Sequence, residues 1–315
     1  MTSLTEKPFK LAVIGEVMAE ISGKPFSKMQ QSVGGDTYNT AVYLKQLLPA
    51  NNTISFVSVM GTDVLSRSIV QRTQEYDLDI SLLLTDDDKQ VGLYYVENDE
   101  AGERFFHYWR NDSAARYLMQ HKSAAAVFQK LTDYDAVFLS GISIAIMPYL
   151  DRLALIELLH TLKKMGVKII FDGNYRERLW QNPEQAKSIY NQLYGLSDVA
   201  LVTYDDEYQL WGDSTVEECQ KRLLAFEITE LVIKDGENGC IYATTEQAIV
   251  VPAQSVAEVI DTTAAGDSFN AGFLAGFFCE KSARFNCELG NCVAGQVIQQ
   301  QGAIVKVDIQ TKLSA

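Results

Sequence analysis

The stretch VIDTTAAGDSFNAGFLAGF, residues 259–277, decides the fold prediction for this chain of 315 residues. Val259 and Ile260 indicate the end of a strand, and apolar residues from Ala271 onward recur at helical spacing. The small residues at 264–266 lie between them and are typical of a tight turn with accessible backbone N–H groups. A strand, a tight turn and a helix in succession predict one unit of an α/β fold.

The same alternation of short apolar strands and helices recurs along the rest of the chain. Residues 10–15 read KLAVIG, a buried-strand pattern, and the helical pattern GGDTYNTAVYLKQLL follows at 34–48. Because strands joined through helices run parallel, we expect a mostly parallel sheet covered by helices on both faces. The further strand predictions are 136–139, 167–171, 199–202 and 231–233, and the further helix predictions are 149–164, 183–193 and 207–210.

One segment departs from this alternation. Residues 91–97 and 104–110 are two strand-like runs around a five- or six-residue turn at 98–102, which predicts an antiparallel hairpin. Aromatic residues occupy both faces, so we expect both to be covered. The pattern fits ordinary sheet packing or a dimer contact, and it fits equally a small β lid with one face over a ligand. One face would carry Phe106, Tyr108 and Arg110, and the other Phe105, His107 and Trp109.

Composition and charge exclude several classes of function. The net charge of −14 and the lack of any Lys/Arg-rich run argue against binding to nucleic acid or to an anionic membrane. No apolar stretch reaches the roughly 18 to 20 residues of a membrane span and no signal-peptide pattern begins the chain, so we expect a cytoplasmic protein. Five scattered cysteines indicate reduced, mostly buried thiols, and three widely spaced histidines argue against a histidine-based zinc site.

Asp267 stands in the turn that precedes the last of these helices. The first N–H groups of a helix have no partner within it, so a turn of small residues at this point binds anions well. An aspartate here commonly serves only as a helix cap, but beside an anion site it can also accept the proton of an attacking hydroxyl. The P-loop and the Rossmann G-x-G-x-x-G are absent, so a nucleotide would need another kind of site.

Two motifs at opposite ends of the chain resemble the signatures of a known family. Residues 261–276 resemble the C-terminal signature of the ribokinase-like (PfkB) carbohydrate kinases. Gly34 and Gly35, followed by Asn39 and Ala41, resemble their N-terminal signature. Because the motifs are more than 220 residues apart in the expected order, the resemblance covers nearly the whole chain.

The resemblance implies a doubly wound, mostly parallel sheet flanked by helices, with a small β-sheet lid. It implies a single domain, residues 1–315, with lid strands inserted at about 16–33 and 90–111. For mechanism it implies ATP-dependent phosphorylation of a sugar hydroxyl, with Asp267 as general base and Mg²⁺ carried by the nucleotide. The implied anion hole for the transferring phosphoryl group consists of Ala264, Ala265 and Gly266.

Within this family, the motifs are most similar to those of the 2-keto-3-deoxygluconate kinases, which implies a sugar acid as substrate. Forked cationic donors bind a carboxylate well, so two arginines in these motifs favour a sugar acid over a neutral sugar, although each alone would more commonly be a surface ion-pair partner. The implied substrate contacts are Gly34, Gly35, Asp36, Asn39, Tyr94, Tyr108, Arg110 and Arg176. The implied nucleotide contacts are Thr203, Lys234, Gly236, Gly239 and Asn291.

The chain departs from the family pattern at two places. The G-A-G-D motif begins here with Ala264, which is compatible with the motif only if this residue needs no positive φ. The family's N-x-x-E motif, tied to Mg²⁺ and phosphate control, is replaced by residues 203–207. Its Asn is lost and Glu207 is the candidate for the acidic role, so the residues that contact the metal stay open.

Two other functions stay open on the sequence alone. A kinase for a neutral sugar such as fructose or ribose would share every feature except the arginine pair. A sugar-acid binding protein without turnover would keep the fold but would have no need of Asp267. The outer aromatic face of the hairpin, if exposed, predicts a homodimer formed through the lid.

Overall fold

The computed structural model describes residues 8–98 and 104–309. The strands of this part of the chain are β1 (Lys10–Ile14), β2 (Met18–Ser22), β3 (Gln30–Gly34), β4 (Thr53–Met60), β5 (Leu83–Thr85), β6 (Gly92–Asn98), β7 (Arg104–Trp109), β8 (Ala136–Ser140), β9 (Lys168–Asp172), β10 (Val199–Thr203), β11 (Glu230–Lys234), β12 (Cys240–Ala243) and β13 (Ala248–Val251). The α-helices are α1 (Asp36–Leu47), α2 (Val64–Glu75), α3 (Ala124–Lys130), α4 (Gly141–Ala145), α5 (Tyr149–Lys164), α6 (Pro183–Leu196), α7 (Tyr204–Trp211), α8 (Val216–Leu224), α9 (Ala265–Phe278) and α10 (Ala283–Val297).

Nine strands form one large sheet in the order β13-β12-β11-β10-β9-β8-β1-β4-β5. Neighbouring strands from β11 to β5 pair in parallel, and β12 and β13 run antiparallel at one edge. The central strands are buried almost end to end, as expected where helices cover both faces of a sheet. The predicted fold class is confirmed, and every predicted strand except the one before α9 agrees with the structure to within one or two residues.

The order of the strands reverses at β1. The chain continues from β1 to β4 and β5 on one side, and then fills the other side from β8 to β11. Open α/β sheets bind ligands in the crevice that forms at the carboxyl ends of the strands where the order reverses. The segments that follow β1, β8, β9 and β11 meet at this edge of the sheet.

Four strands form a second, smaller sheet in the order β3-β2-β6-β7. β6 and β7 are the predicted hairpin and pair antiparallel, while the turn between them lies outside the described residues. On one face the rings of Tyr94, Phe106 and Tyr108 contact one another, and on the other face Tyr95 contacts His107. The two faces of the hairpin are therefore divided as the alternation of side chains predicts.

Helix α9 is buried on nearly every side. All residues from 268 to 276 are buried, and α9 packs between α1 and α10. A helix that is apolar all round belongs in the interior of a protein, which is where the sequence of α9 places it. This packing brings the first turn of α9 beside the first turn of α1.

The strand predicted at Val259 and Ile260 is wrong. Both side chains are more than half exposed, and the segment before α9 has no strand partner among the described residues. The N–H groups of Ile260 and Asp261 donate instead to the carbonyl oxygen of Ile298, just after α10. The backbone donors of this segment therefore bind a carbonyl group at the end of α10 and not a neighbouring strand.

The predictions about cysteines and membrane spans can also be compared with the structure. All five cysteines are free thiols and four of them are buried, as predicted. Within residues 8–98 and 104–309, no helix is both long and apolar enough to cross a membrane.

Candidate active site

The carboxylate of Asp267 lies between the first turns of α9 and α1. Asn39 Nδ2 donates a hydrogen bond to Asp267 Oδ2 over 2.8 Å, and Thr40 Oγ1 donates to the backbone oxygen of Asp267 over 3.1 Å. The sequence predicts Asn39 as a substrate contact, whereas the structure makes it the hydrogen-bond partner of the candidate base. One contact on the carboxylate and one on the backbone, over 228 and 227 residues of chain, thus fix Asp267 in place.

The surroundings of Asp267 disfavour its charged form. Burial, followed by the nearby Asp36 carboxylate, raises the pKa of Asp267 well above its ordinary value. The hydrogen bond from Asn39 acts in the opposite direction, and so does the ammonium group of Lys234. A carboxyl group whose pKa is raised in this way is suited to take up a proton during a reaction near neutral pH.

The first turn of α9 offers unpaired backbone donors. The N–H of Ala265 donates to the carbonyl oxygen of Thr262 over 3.2 Å, so it is already used. Among the described residues, the N–H groups of Gly266 and Asp267 have no recorded acceptor. These two donors, added to the positive end of the helix dipole, can bind an anion.

Ala264 is in the left-handed region, with φ 61° and ψ 17°. The condition stated for an alanine at this position, that it needs no positive φ, is therefore not met. A side chain with a Cβ costs about 1–2 kcal/mol in this conformation, because the Cβ approaches the following carbonyl oxygen. The turn keeps the conformation all the same, since Ser268 N donates to Ala264 O over 2.9 Å.

A buried polar cluster lies directly beneath this turn. Lys234 Nζ is 3.1 Å from Asp172 Oδ1 and 2.9 Å from Asn270 Oδ1, and Asn270 Nδ2 donates to Asp172 Oδ2 over 2.9 Å. A Cβ placed on Gly266 would lie 3.6 Å from the Lys234 ammonium group. The predicted nucleotide contact Lys234 thus puts a positive charge under the anion-binding turn, held there by two buried partners.

Two glycines just before α1 allow close contacts with the small sheet and with the segment after β1. A Cβ on Gly34 would collide with the hydroxyl of Tyr94, and a Cβ on Gly35 would collide with the carbonyl oxygen of Glu16. The Tyr94 hydroxyl is buried and donates to Glu20 Oε2 over 2.5 Å. Gly34, Gly35 and Tyr94 therefore shape the wall between the lid and the crevice.

The two predicted arginines are both close to carboxylates of the protein. Arg110 is buried in an ion pair with Glu16, and its guanidinium carbon lies 5.8 Å from the ring centre of Tyr108. Arg176 Nη1 is 2.9 Å from Asp206 Oδ1, and about half of the Arg176 side chain is exposed. Arg110 is thus held in place, whereas Arg176 is partly open to the crevice.

Tyr108, Arg176 and Asp36 face one another across the crevice. Burial raises the pKa of Tyr108, the Arg110 and Arg176 guanidinium groups lower it, and Asp36 raises it. Asn174 Nδ2 donates to Asp36 Oδ2 over 2.8 Å, which fixes that carboxylate. The structure therefore brings the predicted substrate contacts of the lid, α1 and the loop after β9 together around one space.

The predicted nucleotide contacts lie along the next part of the same edge. Thr203 and Lys234 are paired at the ends of β10 and β11. Gly239 closes the turn after β11 with φ 96°, where a Cβ would collide with the backbone of the segment 251–253. Asn291 Nδ2 on α10 donates to the carbonyl oxygen of Pro252 over 3.0 Å, and Gly236 stands in the same turn as Gly239 with open space beside it.

Glu207 is not open to the crevice at this edge. It is fully buried, with Arg222 Nη2 2.7 Å from its Oε2 and the Tyr194 hydroxyl donating to its Oε1 over 2.5 Å. The acidic residue of this segment that does reach the crevice is Asp206, through Arg176. The carboxylate of Glu207 is therefore not accessible for the acidic role considered for it, because it joins α7 to α6 and α8.

Sequence reasoning missed three residues of this region. Glu16 and Asp172 each stand at the carboxyl end of a buried strand, a position where ligands are bound in α/β folds, so a signal for them existed. Arg104 begins β7 and contacts the segment before α9: its Nη1 is 2.6 Å from Asp261 Oδ1 and 2.9 Å from Thr263 Oγ1. No local pattern indicates a partner so far away in the sequence.

Comparisons with known proteins identify the family of this chain. A family model described as pfkB family carbohydrate kinase matches residues 9–310. The chain is 45% identical over 300 residues to a 2-dehydro-3-deoxygluconokinase of Haemophilus influenzae, covering 94% of this chain and 95% of that protein. It is 40% identical over 300 residues to a protein of the same name from Escherichia coli K12, covering 94% and 97% respectively.

A solved structure supports the fold. The crystal structure of 2-dehydro-3-deoxygluconokinase from Thermotoga maritima superposes with a TM-score of 0.86 at 18% identity, covering 98% of each chain. The matched family residues include both signature motifs and every site residue described above. The chain belongs to the pfkB family of carbohydrate kinases.

Proposed function

We propose that this protein transfers the γ-phosphoryl group of ATP to the 6-hydroxyl of 2-keto-3-deoxygluconate, which is the same compound as 2-dehydro-3-deoxygluconate. The product is 2-keto-3-deoxy-6-phosphogluconate. One observation carries the proposal: a carboxylate with a raised pKa, Asp267, is fixed by Asn39 in the same helical turn that offers free N–H groups to an anion. A proton acceptor and a phosphoryl site then lie side by side.

In the proposed mechanism, Asp267 accepts the proton of the 6-hydroxyl group. The oxygen of that hydroxyl group forms a bond to the γ-phosphorus of ATP. The bond from that phosphorus to the bridging oxygen breaks and ADP leaves. The N–H groups of Gly266 and Asp267, with Lys234 beneath them, stabilise the negative charge of the transferring group. Mg²⁺ carried by the nucleotide would supply positive charge that offsets part of the negative charge of the phosphates.

The lid and the loop after β9 support a sugar acid as substrate. Arg176 is half exposed beside the crevice, and Arg110 and Tyr108 lie on the lid face that covers it. An arginine binds a carboxylate through two parallel hydrogen bonds, which a neutral sugar could not use. The names of the two bacterial relatives point to the same substrate class.

Buried polar atoms without partners also fit a hydroxylated ligand. Within the described residues, Asn39 Oδ1 and Thr37 Oγ1 are buried and have no hydrogen-bond partner. Such atoms are costly unless a ligand or water satisfies them. We propose that sugar hydroxyls contact this end of α1, together with Gly34, Gly35 and Asp36.

We propose that the nucleotide lies along the edge from Thr203 to Asn291, with its phosphates toward the first turn of α9. Thr203 and Lys234 stand at adjacent strand ends, and Gly236 has open space beside it. Gly239 and Asn291 both approach the segment 251–253, so they close the far end of this groove. A protein that consumes ATP and keeps five free thiols fits the cytoplasm.

Replacing Asp267 by Asn tests the assignment of the base. The substitution keeps the size of the side chain and its contact with Asn39 but removes the proton acceptor. We expect kcat to fall about 10²- to 10⁴-fold, with the affinities for the sugar acid and for a non-hydrolysable ATP analogue largely kept. Turnover equal to that of the wild type would refute the role of Asp267.

A panel of substrates tests the choice of sugar acid. Purified protein is assayed for ADP release with 2-keto-3-deoxygluconate, fructose and ribose under the same conditions. We expect kcat/KM to be highest for the sugar acid. A preference for fructose or ribose would make the protein a neutral-sugar kinase, and sugar-acid binding without ADP release from any substrate would make it a binding protein.

We propose that the small sheet acts as a lid on a single kinase domain, and that two copies dimerise through its outer face. Phe105 is 48% exposed and Trp109 62% exposed on that face, a large apolar area for one hairpin. Analytical ultracentrifugation should show a dimer at micromolar concentration and a monomer for Trp109→Glu. A wild-type monomer at that concentration would refute the dimer.

A further inference from the structure

Arg104 joins the lid to the segment that leads into the anion-binding turn. Its Nη1 is 2.6 Å from Asp261 Oδ1 and 2.9 Å from Thr263 Oγ1, over 157 and 159 residues of chain. About a fifth of the Arg104 side chain is exposed, whereas the side chain of Asp261 is fully buried. A buried carboxylate depends strongly on such a partner, because an uncompensated charge in the interior is costly.

Asp261 is a rigid anchor for this contact. Its Oδ1 also accepts from Thr263 N over 3.0 Å, and its Oδ2 accepts from Gly302 N over 2.7 Å. Although burial alone would raise its pKa, these hydrogen bonds together with Arg104 hold the pKa of Asp261 below its ordinary value. Asp261 is therefore ionised at neutral pH and available to Arg104.

The same strand carries the residues that cover the crevice. In β7, side chains two residues apart share a face, so Arg104, Tyr108 and the following Arg110 lie on one side of it. At about 3.4 Å per residue, the six steps from Arg104 to Arg110 span about 20 Å. One strand thus reaches from the proposed sugar-acid contacts to the segment before the phosphate-binding turn.

We propose that Arg104 is a positioning residue that connects the lid to the turn at 264–267. When the lid closes over the sugar acid, Arg104 orders this turn for binding of the nucleotide. This inference rests on the proposed function, since it assigns a sugar acid to the lid and a phosphoryl group to the turn. Arg104 contacts neither substrate; it acts through Asp261 and Thr263. The two substrates then bind with positive coupling, and each tightens the binding of the other by the same factor.

The coupling factor is the quantity to measure. Calorimetric titration gives the affinity for a non-hydrolysable ATP analogue with Mg²⁺, first alone and then with saturating 2-keto-3-deoxygluconate. For the wild type we expect the sugar acid to tighten binding of the analogue at least about fivefold, within the usual range for coupled sites. For Arg104→Gln we expect this factor to fall to about one.

Two further variants separate positioning from a purely structural role. Arg104→Lys keeps the charge but not the fork, so it should recover part of the factor. Lys89→Gln removes a surface ion pair of similar length, Lys89 with Asp112 at 2.6 Å, and should leave the factor unchanged. If Arg104→Gln weakens both affinities equally and leaves the ratio intact, Arg104 is only structural and the proposal is wrong.

A double-mutant cycle localises the effect to the contact itself. Thr263→Val removes the hydroxyl that Arg104 contacts and keeps the shape of the side chain. It should lower the coupling factor in the wild type and have no further effect in Arg104→Gln. A wild-type coupling factor of one would also overturn the proposal.

The experiments distinguish an error in the substrate assignment from an error in the role proposed for Arg104. If the substrate panel identifies a neutral sugar, the same titrations are run with that sugar. A factor that depends on Arg104 then supports the inference while the sugar-acid assignment fails. A factor that does not depend on Arg104 refutes the inference whichever sugar is used.

Discussion

Replacing Asn39 by Leu should move the acidic limb of the pH–rate profile to higher pH. Asn39 donates the 2.8 Å hydrogen bond to Asp267 Oδ2, and a donor favours the ionised form of the carboxyl group that accepts it. Burial and Asp36 already raise the pKa of Asp267, and Asn39 opposes them. Removing Asn39 therefore raises the pKa further, so a smaller fraction of Asp267 is ionised at a given acidic pH.

The size of the effect follows from the kind of hydrogen bond that is lost. A hydrogen bond to a charged group contributes about 1.5–3 kcal/mol. If this bond is present only when Asp267 is ionised, its loss lowers kcat/KM about 10- to 100-fold on the acidic side of the profile. The loss should be much smaller at alkaline pH, where Asp267 is ionised in both proteins.

The assay is kcat/KM for the sugar acid, measured by ADP release across the pH range, because this quantity reports the ionisation of the free enzyme. Thr40→Val is the matched control, since Thr40 contacts the backbone oxygen of Asp267 and not its carboxylate. It should leave the position of the acidic limb unchanged. An unshifted limb in Asn39→Leu, or an equal shift in Thr40→Val, would show that the hydrogen bond does not set the ionisation of Asp267.

Three other expectations follow from the site. A carboxyl group with a raised pKa costs stability as pH rises through that pKa, so Asp267→Asn should be more stable than the wild type at neutral pH, with a difference that shrinks in acid. Denaturant titrations at several pH values check this, and a pH-independent difference would contradict it. Ala264→Gly relieves the left-handed Ala and should stabilise the protein by about 0.5–1 kcal/mol, raising Tm by about 1 °C, whereas Ala265→Gly should not. Calorimetry with equal effects for both variants would speak against strain at Ala264. Arg176→Ala should raise KM for the sugar acid about 10- to 100-fold with a smaller change in kcat, and steady-state kinetics with a large fall in kcat alone would rule out a binding role.

The features that sequence reasoning predicted correctly depend on local pattern. The buried strands are short apolar runs, and the alternation along β7 separates Tyr108 from His107. The prediction for Asp267, which stays a prediction, also rests on a local signal: small residues before a helix leave the N–H groups of that helix accessible. Such signals lie within a few residues of one another, so they need no knowledge of the rest of the chain.

The features that were missed depend on contacts between distant segments. The left-handed φ of Ala264 follows from how α9 begins against Thr262 and packs beside α1, and no property of an alanine side chain signals it. The hydrogen bond from Asn39 to Asp267 was not foreseen, because the two residues are 228 positions apart. The contacts of Arg104 with Asp261 and of Glu207 with Arg222 likewise appear only when separate elements pack together.

The hydrogen bond between Asn39 and Asp267 also has a consequence for synthesis of the chain. A ribosome adds about 5–20 residues per second, so about 10 to 45 seconds pass between the two residues. During this time the face of α1 that packs on α9, including Asn39 and Thr40, has no helix to cover it. A growing chain therefore exposes an aggregation-prone surface until its last sixth is made, and the hydrogen bond between Asn39 and Asp267 can form only at this late stage.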